Sequence, residues 1–227
     1  MLMKVLIKKL LSITRKFFLS DSREISLSGY FSTLIKNNIH KESLKILDYG
    51  SGFNPDVIVK TSNNLIKQNI DCYVYCLDFY EKSEVNYLNS KFKNIEFYNF
   101  ENEIDQYFDI VVISDVLHHI DPTQTNEAKL IDVISMLSEK SDFILIKDHF
   151  EDSFITRTIL RIMDFIGNYK DDVNIPKRYF TKKSFLNLIN KTRLLEVDEI
   201  KKIKIYSKIF FPFTLSKIQF IKLFKVN

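Results

Sequence analysis

The chain has 227 residues, 45% of them hydrophobic and 27% charged, enough to bury a core of its own, while two cysteines are too few for a disulfide framework or a structural zinc site. The formal net charge of +4 is unevenly spread: residues 1–20 hold five basic residues and no acid, residues 200–227 hold seven lysines and no acid, and without those twelve charges the body stands at −8. An acidic body argues against a nucleic-acid groove, which needs positive charge around it, while the basic, apolar ends leave peripheral contact with an anionic membrane open.

In chain order, the opening "MLMKVLIKKLLSITRKFF" places Leu2, Leu6, Leu10, Ile13 and Phe17 on one approximate helical face. Its lysines deny it the unbroken apolar core of a secretory signal or a membrane span. Residues 1–40 are therefore expected to form a helical extension, and 41–227 the main domain. Apolar runs then alternate with helix-compatible stretches: "KILDYG", "VIVKTSNNLIKQ", "DCYVYCLD", 81–93, "NIEFYNF", "YFDIVVIS", "EAKLIDVISMLSE" and "DFILIKDH". That alternation predicts βαβ units, a mostly parallel sheet with helices on both faces. Cys72 and Cys76 fall on one face of the second strand and suit a reducing, cytoplasmic setting. Residues 150–192 form a helical segment interrupted at "DDVNIPKRYF", and "LLEVDEIKKIKIYS" with "KIQFIKLFKV" predicts a closing antiparallel hairpin.

Four of the strand runs end on polar or acidic residues, and ligands of open α/β sheets bind at the carboxyl ends of strands. In "KILDYGSGFNP" two of only four glycines meet one of four prolines. Glycine lets backbone approach a ligand, Asn54 suits a helix N-cap, Pro55 the first helical position, and Asp56 the positive end of the helix dipole. An acid there repels a pyrophosphate, so the loop suits a ligand without phosphate. Asp78, closing the next strand, is placed to accept hydrogen bonds from ribose hydroxyls. Adenosine without phosphate is the candidate ligand; simple capping of strand ends by Asp48 and Asp78 is the alternative.

"LDYGSGFNP", "CLDF", "FDIVVISDVLHHI" and "FILIKDH", in this order and spacing, resemble the successive motifs of class I S-adenosylmethionine-dependent methyltransferases over about residues 44–149. The resemblance implies an α/β, Rossmann-like, mostly parallel seven-stranded sheet with a C-terminal antiparallel hairpin strand. It implies S-adenosyl-L-methionine as cofactor, with Asp48, Tyr49, Gly50 and Gly52 along its methionine and ribose side. Asp78 would hold the ribose hydroxyls, Phe79 would lie beside the adenine, Asn99, Phe100 and Glu101 would lie around the ring and its amine, and Ser114 near the sulfonium. The third glycine frequent in the first motif is Asn54 here.

Methyl transfer needs the nucleophile and the methyl group held in line, plus a base when the nucleophile is a hydroxyl. His118 and His119 follow the fourth strand, and His149 follows the fifth beside Lys147 and Asp148; His40 belongs to a solvated connector. His119, Asp148 and His149 are the candidate catalytic residues, with a structural role for His119 equally open. No metal is assigned. The segment at about 150–192 is a candidate substrate cover, with Arg157, Arg161 and Asp164 at helical spacing and Asn168, Lys177 and Tyr179 as further polar candidates. The expected acceptor is small or amphipathic, lipid-like molecules included. The competing functions are a non-catalytic cofactor-binding module, membrane-associated or not, and an NAD-dependent oxidoreductase; Asp56 and the absent third glycine weigh against the latter.

Overall fold

The computed structural model describes residues 21–52, 55–92, 94–100, 105–121, 127–168, 175–192, 194–196, 201–202 and 219–227. The opening segment of residues 1–20, expected from the sequence as an amphipathic helix, Asn54, Glu101 and the Phe210, Phe211 and Phe213 stretch lie outside the described residues. The elements are α1 (Asp21–Asn38), β1 (Ser43–Tyr49), α2 (Asp56–Ile66), β2 (Asp71–Asp78), α3 (Lys82–Lys91), β3 (Ile95–Asn99), β4 (Phe108–Ser114), α4 (Leu117–Ile120), α5 (Glu127–Ser138), β5 (Ser141–His149), α6 (Phe154–Asn168), α7 (Lys182–Ile189), β6 (Leu194–Glu196), β7 (Lys201–Lys202) and β8 (Gln219–Val226).

The sheet runs β3-β2-β1-β4-β5-β8-β6. The first five strands are mutually parallel. β8 runs antiparallel to β5, and β6 antiparallel to β8, so six of these seven strands point one way. β7 continues the β6 edge, Lys201 and Lys202 opposing Ile221 and Phe220. The β-rich ends of the sequence therefore do close the sheet as an antiparallel pair.

Strands buried on both faces need near-continuous apolar runs, and β4 "FDIVVIS" and β5 "SDFILIKDH" have them. One face of the sheet packs on α1 and α2 through Leu27, Phe31, Ile35, Leu44, Ile46 and Ile58. Leu27, Phe31 and Ile35, one helical turn apart, are fully buried, each contributing roughly 2–3 kcal/mol of apolar burial. The other face packs on α5 and α7 through Val111, Ile134, Leu137, Phe185 and Phe220. Of the two cysteines, Cys76 is buried and Cys72 half-buried, both as free thiols. No helix among the described residues is long and apolar enough to cross a membrane.

Chain order reverses between β1 and β4: β2 and β3 extend the sheet to one side of β1, β4 and β5 to the other. That switch point opens a crevice at the carboxyl ends of the strands. Register brings the strand ends level there, Asp48 opposite Cys76 and Val112, and Ser114 opposite Lys147.

Candidate active site

On one side of the crevice lies the β1–α2 loop. Gly50 adopts φ 76° and Gly52 φ 63°, both in the left-handed region. At Gly50 a Cβ would overlap the Val116 side chain, whereas at Gly52 it would enter open space. Close packing therefore demands the first glycine, and backbone conformation demands both. Gly50 N–H donates to the Leu77 carbonyl at 2.7 Å, tying the loop to the end of β2. Gly52 N–H donates to Asp78 Oδ2 at 2.7 Å, and Phe79 N–H donates to Asp78 Oδ1 at 2.7 Å. Each carboxylate oxygen keeps a lone pair for another donor. Tyr80 clamps the same loop: its hydroxyl donates to the Gly52 carbonyl and lies 2.7 Å from Ser51 Oγ. No spacing signal marks Tyr80 in the sequence beyond its place two residues after Asp78. α2 starts at Asp56 with Pro55 as the flanking residue and no side-chain cap bond, one position later than the sequence suggests.

Asp48 is 8% exposed. Burial, with the charge of Asp78 second, pushes its carboxyl up to about 7. Asp78 is also raised, by burial, against the two N–H donors that lower it. Among the described residues neither acid pairs with a cation. This side of the crevice thus favours a ligand carrying positive charge and hydroxyl donors. Beyond it, Phe79 is 85% exposed, its ring centroid 4.2 Å from that of Phe100, which stands 5.1 Å from Tyr49. Asn99 closes β3 opposite Asp78. Asp48, Tyr49, Gly50, Gly52, Asp78, Phe79, Asn99 and Phe100 therefore occupy one continuous rim.

The other side is built from β4, β5 and the cover. Asp115, following Ser114, has φ 59°, an uncommon conformation for a residue other than glycine. Its N–H donates to the Lys147 carbonyl at 2.9 Å, and both its carboxylate oxygens accept from Lys147 Nζ. Lys147 is 0% exposed, its charge compensated by this contact. His149 Nδ1 stands 3.1 Å from Asp115 Oδ1. Burial, with the Lys147 charge, holds His149 below its ordinary value against the opposing pull of the Asp115 carboxylate.

His118, rather than the adjacent His119, faces Asp148, with Nδ1 2.5 Å from Oδ1. Both are buried. Burial alone would lower His118, but the Asp148 carboxylate with its hydrogen bond, and the charges of Asp164 and Asp115, raise it to about 9. Burial alone would raise Asp148, yet His118 and His149 hold it well below the carboxylate range. His119 is half-buried, its ring centroid 4.1 Å from that of His118. The pair of histidines sits in α4, four residues long, just after the left-handed turn at Asp115.

The cover turns its polar face inward. Asp164 Oδ2 lies 3.5 Å from His118 Nε2 and accepts from the Tyr179 hydroxyl at 2.5 Å. Arg157 grips Glu151 through two hydrogen bonds of 2.8 Å, and Glu151 also accepts from Tyr179 N–H at 3.0 Å. Leu160 packs on Tyr179. Ile155, Ile159 and Ile162, on the opposite face of α6, are exposed. Lys177 is exposed, and the Asn168 side chain lies outside the described residues. Asp164 and Tyr179 thus join the rim from 15 and 30 residues beyond β5, a convergence that only the fold creates.

No family model matches the sequence, and no curated protein matches it. Solved structures do. A S-adenosylmethionine-dependent methyltransferase from Clostridium acetobutylicum ATCC 824 superposes with a TM-score of 0.61 at 13% identity, covering 97% of this chain and 99% of that one. The plantazolicin methyltransferase BpumL, solved in complex with SAH, gives 0.60 at 15% identity, covering 97% and 90%. An O-methyltransferase family 2 protein from Planctomyces limnophilus DSM 3776, in complex with apigenin, gives 0.56 at 14% identity over 88% of this chain and 56% of that one. The chain has the class I S-adenosylmethionine-dependent methyltransferase fold.

Proposed function

We propose that the protein is an enzyme that transfers a methyl group from S-adenosyl-L-methionine to a small or amphipathic acceptor. The observation that carries this is the pairing of two acids, the buried Asp48 and the half-buried Asp78, with a glycine loop too crowded at Gly50 for any side chain. The residues fit the cofactor: its ammonium and sulfonium answer the unpaired negative charge, its ribose hydroxyls the remaining lone pairs of Asp78, and its adenine the Phe79 and Phe100 rings. Exposed Asp56 at the start of α2 disfavours the pyrophosphate that a nicotinamide dinucleotide would bring.

When bound, S-adenosyl-L-methionine supplies a methyl carbon already activated by the positive sulfonium. Asp48, Tyr49, Gly50 and Gly52 would hold its amino-acid and ribose side, Ser114 the neighbourhood of the sulfonium, and Asn99, Phe100 and Glu101 the adenine side. His149, held below its ordinary value by burial, would take a proton from a hydroxyl acceptor, while Asp148 fixes His118 and His119 borders the acceptor. The segment at 150–192 would cover the acceptor, on a domain spanning 41–227 behind a helical extension at 1–40.

Radiolabelled methyl transfer to a cell extract, split into lipid, protein and small-molecule fractions, tests this reading. Label in the small-molecule or lipid fraction is expected; label in none, with folded protein that binds adenosylhomocysteine, would support the non-catalytic module instead. Peripheral membrane contact through the basic ends is a second reading, carried by the twelve basic residues and no acid of residues 1–20 and 200–227. Its test is co-sedimentation with anionic vesicles at low salt, and its absence would dismiss that contact.

A further inference from the structure

We propose that His118, His119 and Asp164 form a binding site for a divalent transition-metal ion on the acceptor side of the crevice. One nitrogen from each ring and one Asp164 oxygen lie within 4.8 Å of one another, a spacing that small side-chain rotations close to coordination distance. His118 Nε2 is buried and has no hydrogen-bond partner, although Asp164 Oδ2 stands only 3.5 Å away. A lone buried nitrogen facing a carboxylate without bonding it is costly unless a third group lies between them.

The surroundings are those that orient metal ligands. Asp148 holds Nδ1 of His118, which leaves Nε2 as the ligating atom, the carboxylate–histidine–metal arrangement. The Tyr179 hydroxyl does the corresponding work on Asp164. Uptake of the ion displaces the Nε2 proton. The neighbouring group of His118, Asp148 and His149 also has its ligand atoms within 4.8 Å of one another. That set is wholly buried; Asp148 Oδ1 takes both the His118 ring and the His149 N–H at 2.7 Å, while Asp148 Oδ2 and the two His149 ring nitrogens have no hydrogen-bond partner. In the first set His119 and Asp164 are half-buried, so it is the less enclosed of the two.

Two imidazoles and one carboxylate suit Zn²⁺, Mn²⁺, Fe²⁺ or Co²⁺ rather than Mg²⁺ or Ca²⁺. The ion would hold an acceptor oxygen and ease its deprotonation; that role, unlike the site itself, rests on the proposed methyl transfer. The sequence offered no metal signature because the third ligand comes from α6, more than forty residues beyond the two histidines.

The test uses untagged, chelator-stripped full-length protein titrated with ZnCl2, MnCl2 and CoCl2 by calorimetry, with the Co²⁺ absorption spectrum recorded. One ion per chain is expected. His119→Gln and Asp164→Asn should each weaken binding at least tenfold and alter the Co²⁺ bands. Tyr179→Phe should weaken binding about tenfold, and His40→Gln should change nothing. No binding of any of the three metals at about 100 μM, roughly tenfold above the weak end of Ca²⁺ sensor sites, would overturn the proposal, as would binding that survives both His119→Gln and Asp164→Asn. Adenosylhomocysteine is titrated into the same samples. Loss of metal binding alone discards the site and leaves the methyl-transfer reading intact; failure of adenosylhomocysteine alone keeps the site and discards its part in that reaction.

Discussion

The two sides of the crevice handle charge in opposite ways. Around the buried Asp48 and the half-buried Asp78, which takes two backbone donors, negative charge stands, among the described residues, beside no cation. Around β4 and β5, acids and bases alternate: Asp115 with Lys147 and His149, Asp148 with His118, Asp164 with Tyr179. One side holds a deficit that a cationic ligand can answer; on the other, the charges offset one another within the protein, although His118 Nε2 is left without a hydrogen-bond partner. Binding and positioning are thereby separated across the switch point of a single sheet.

Breaking the balanced side should cost most. Asp148→Ala strands a buried imidazolium, and removing one member of such a pair costs roughly 3–5 kcal/mol, read as a fall in the urea midpoint. Asp48→Asn, on the deficit side, should act with the opposite sign. The Asp48 carboxyl titrates near 7 when folded, against 3.8 as its ordinary value. Its neutral form therefore supports the fold fully below about pH 4, and that support drains away as pH rises toward 7. Above 7 the ligand-free protein bears a cost of roughly 4 kcal/mol, taking about 1.4 kcal/mol for each pK unit. The variant should melt at higher temperature than the parent at pH 8, match it near pH 4, and bind adenosylmethionine more weakly. Equal melting temperatures at pH 8 would show that Asp48 is not an unpaired buried charge.

Smaller effects sharpen the same contrast. Gly50→Ala combines a left-handed φ with overlap on Val116 and should cost roughly 2–4 kcal/mol. Gly52→Ala, with open space around it, should cost only about 1–2 kcal/mol. A similar loss for both in denaturant unfolding would mean that Val116 yields. Affinity for the cationic cofactor should fall up to about tenfold for each pH unit below 7 as Asp48 takes up a proton, measured by calorimetry between pH 5 and 8. His119→Ala, outside the buried pair, should alter stability by less than about 1 kcal/mol.

How legible each side was in the sequence follows from its construction. The deficit side is local: a strand end, two glycines and an acid at the next strand end are adjacent or one crossover apart, so "LDYGSGFNP" and "CLDF" already place Asp48, Gly50, Gly52 and Asp78 together. The balanced side depends on geometry that periodicity does not encode. Just after the left-handed turn at Asp115, His118 rather than His119 meets Asp148. Lys147 sits in an apolar strand run and is buried because Asp115 reaches it. The spacing of α6 announces an amphipathic helix but not which face turns inward, and here Arg157 and Asp164 do while the isoleucines point out.

The central claim is that the negative side of the crevice binds S-adenosylmethionine or its product. Isothermal titration of adenosylhomocysteine and, separately, NAD into the folded protein at pH 8 tests it most directly. The account predicts stoichiometric binding of adenosylhomocysteine, loss of that binding in Asp78→Ala, and no binding of NAD. A folded protein that takes up NAD but not adenosylhomocysteine, or binds neither, would contradict it.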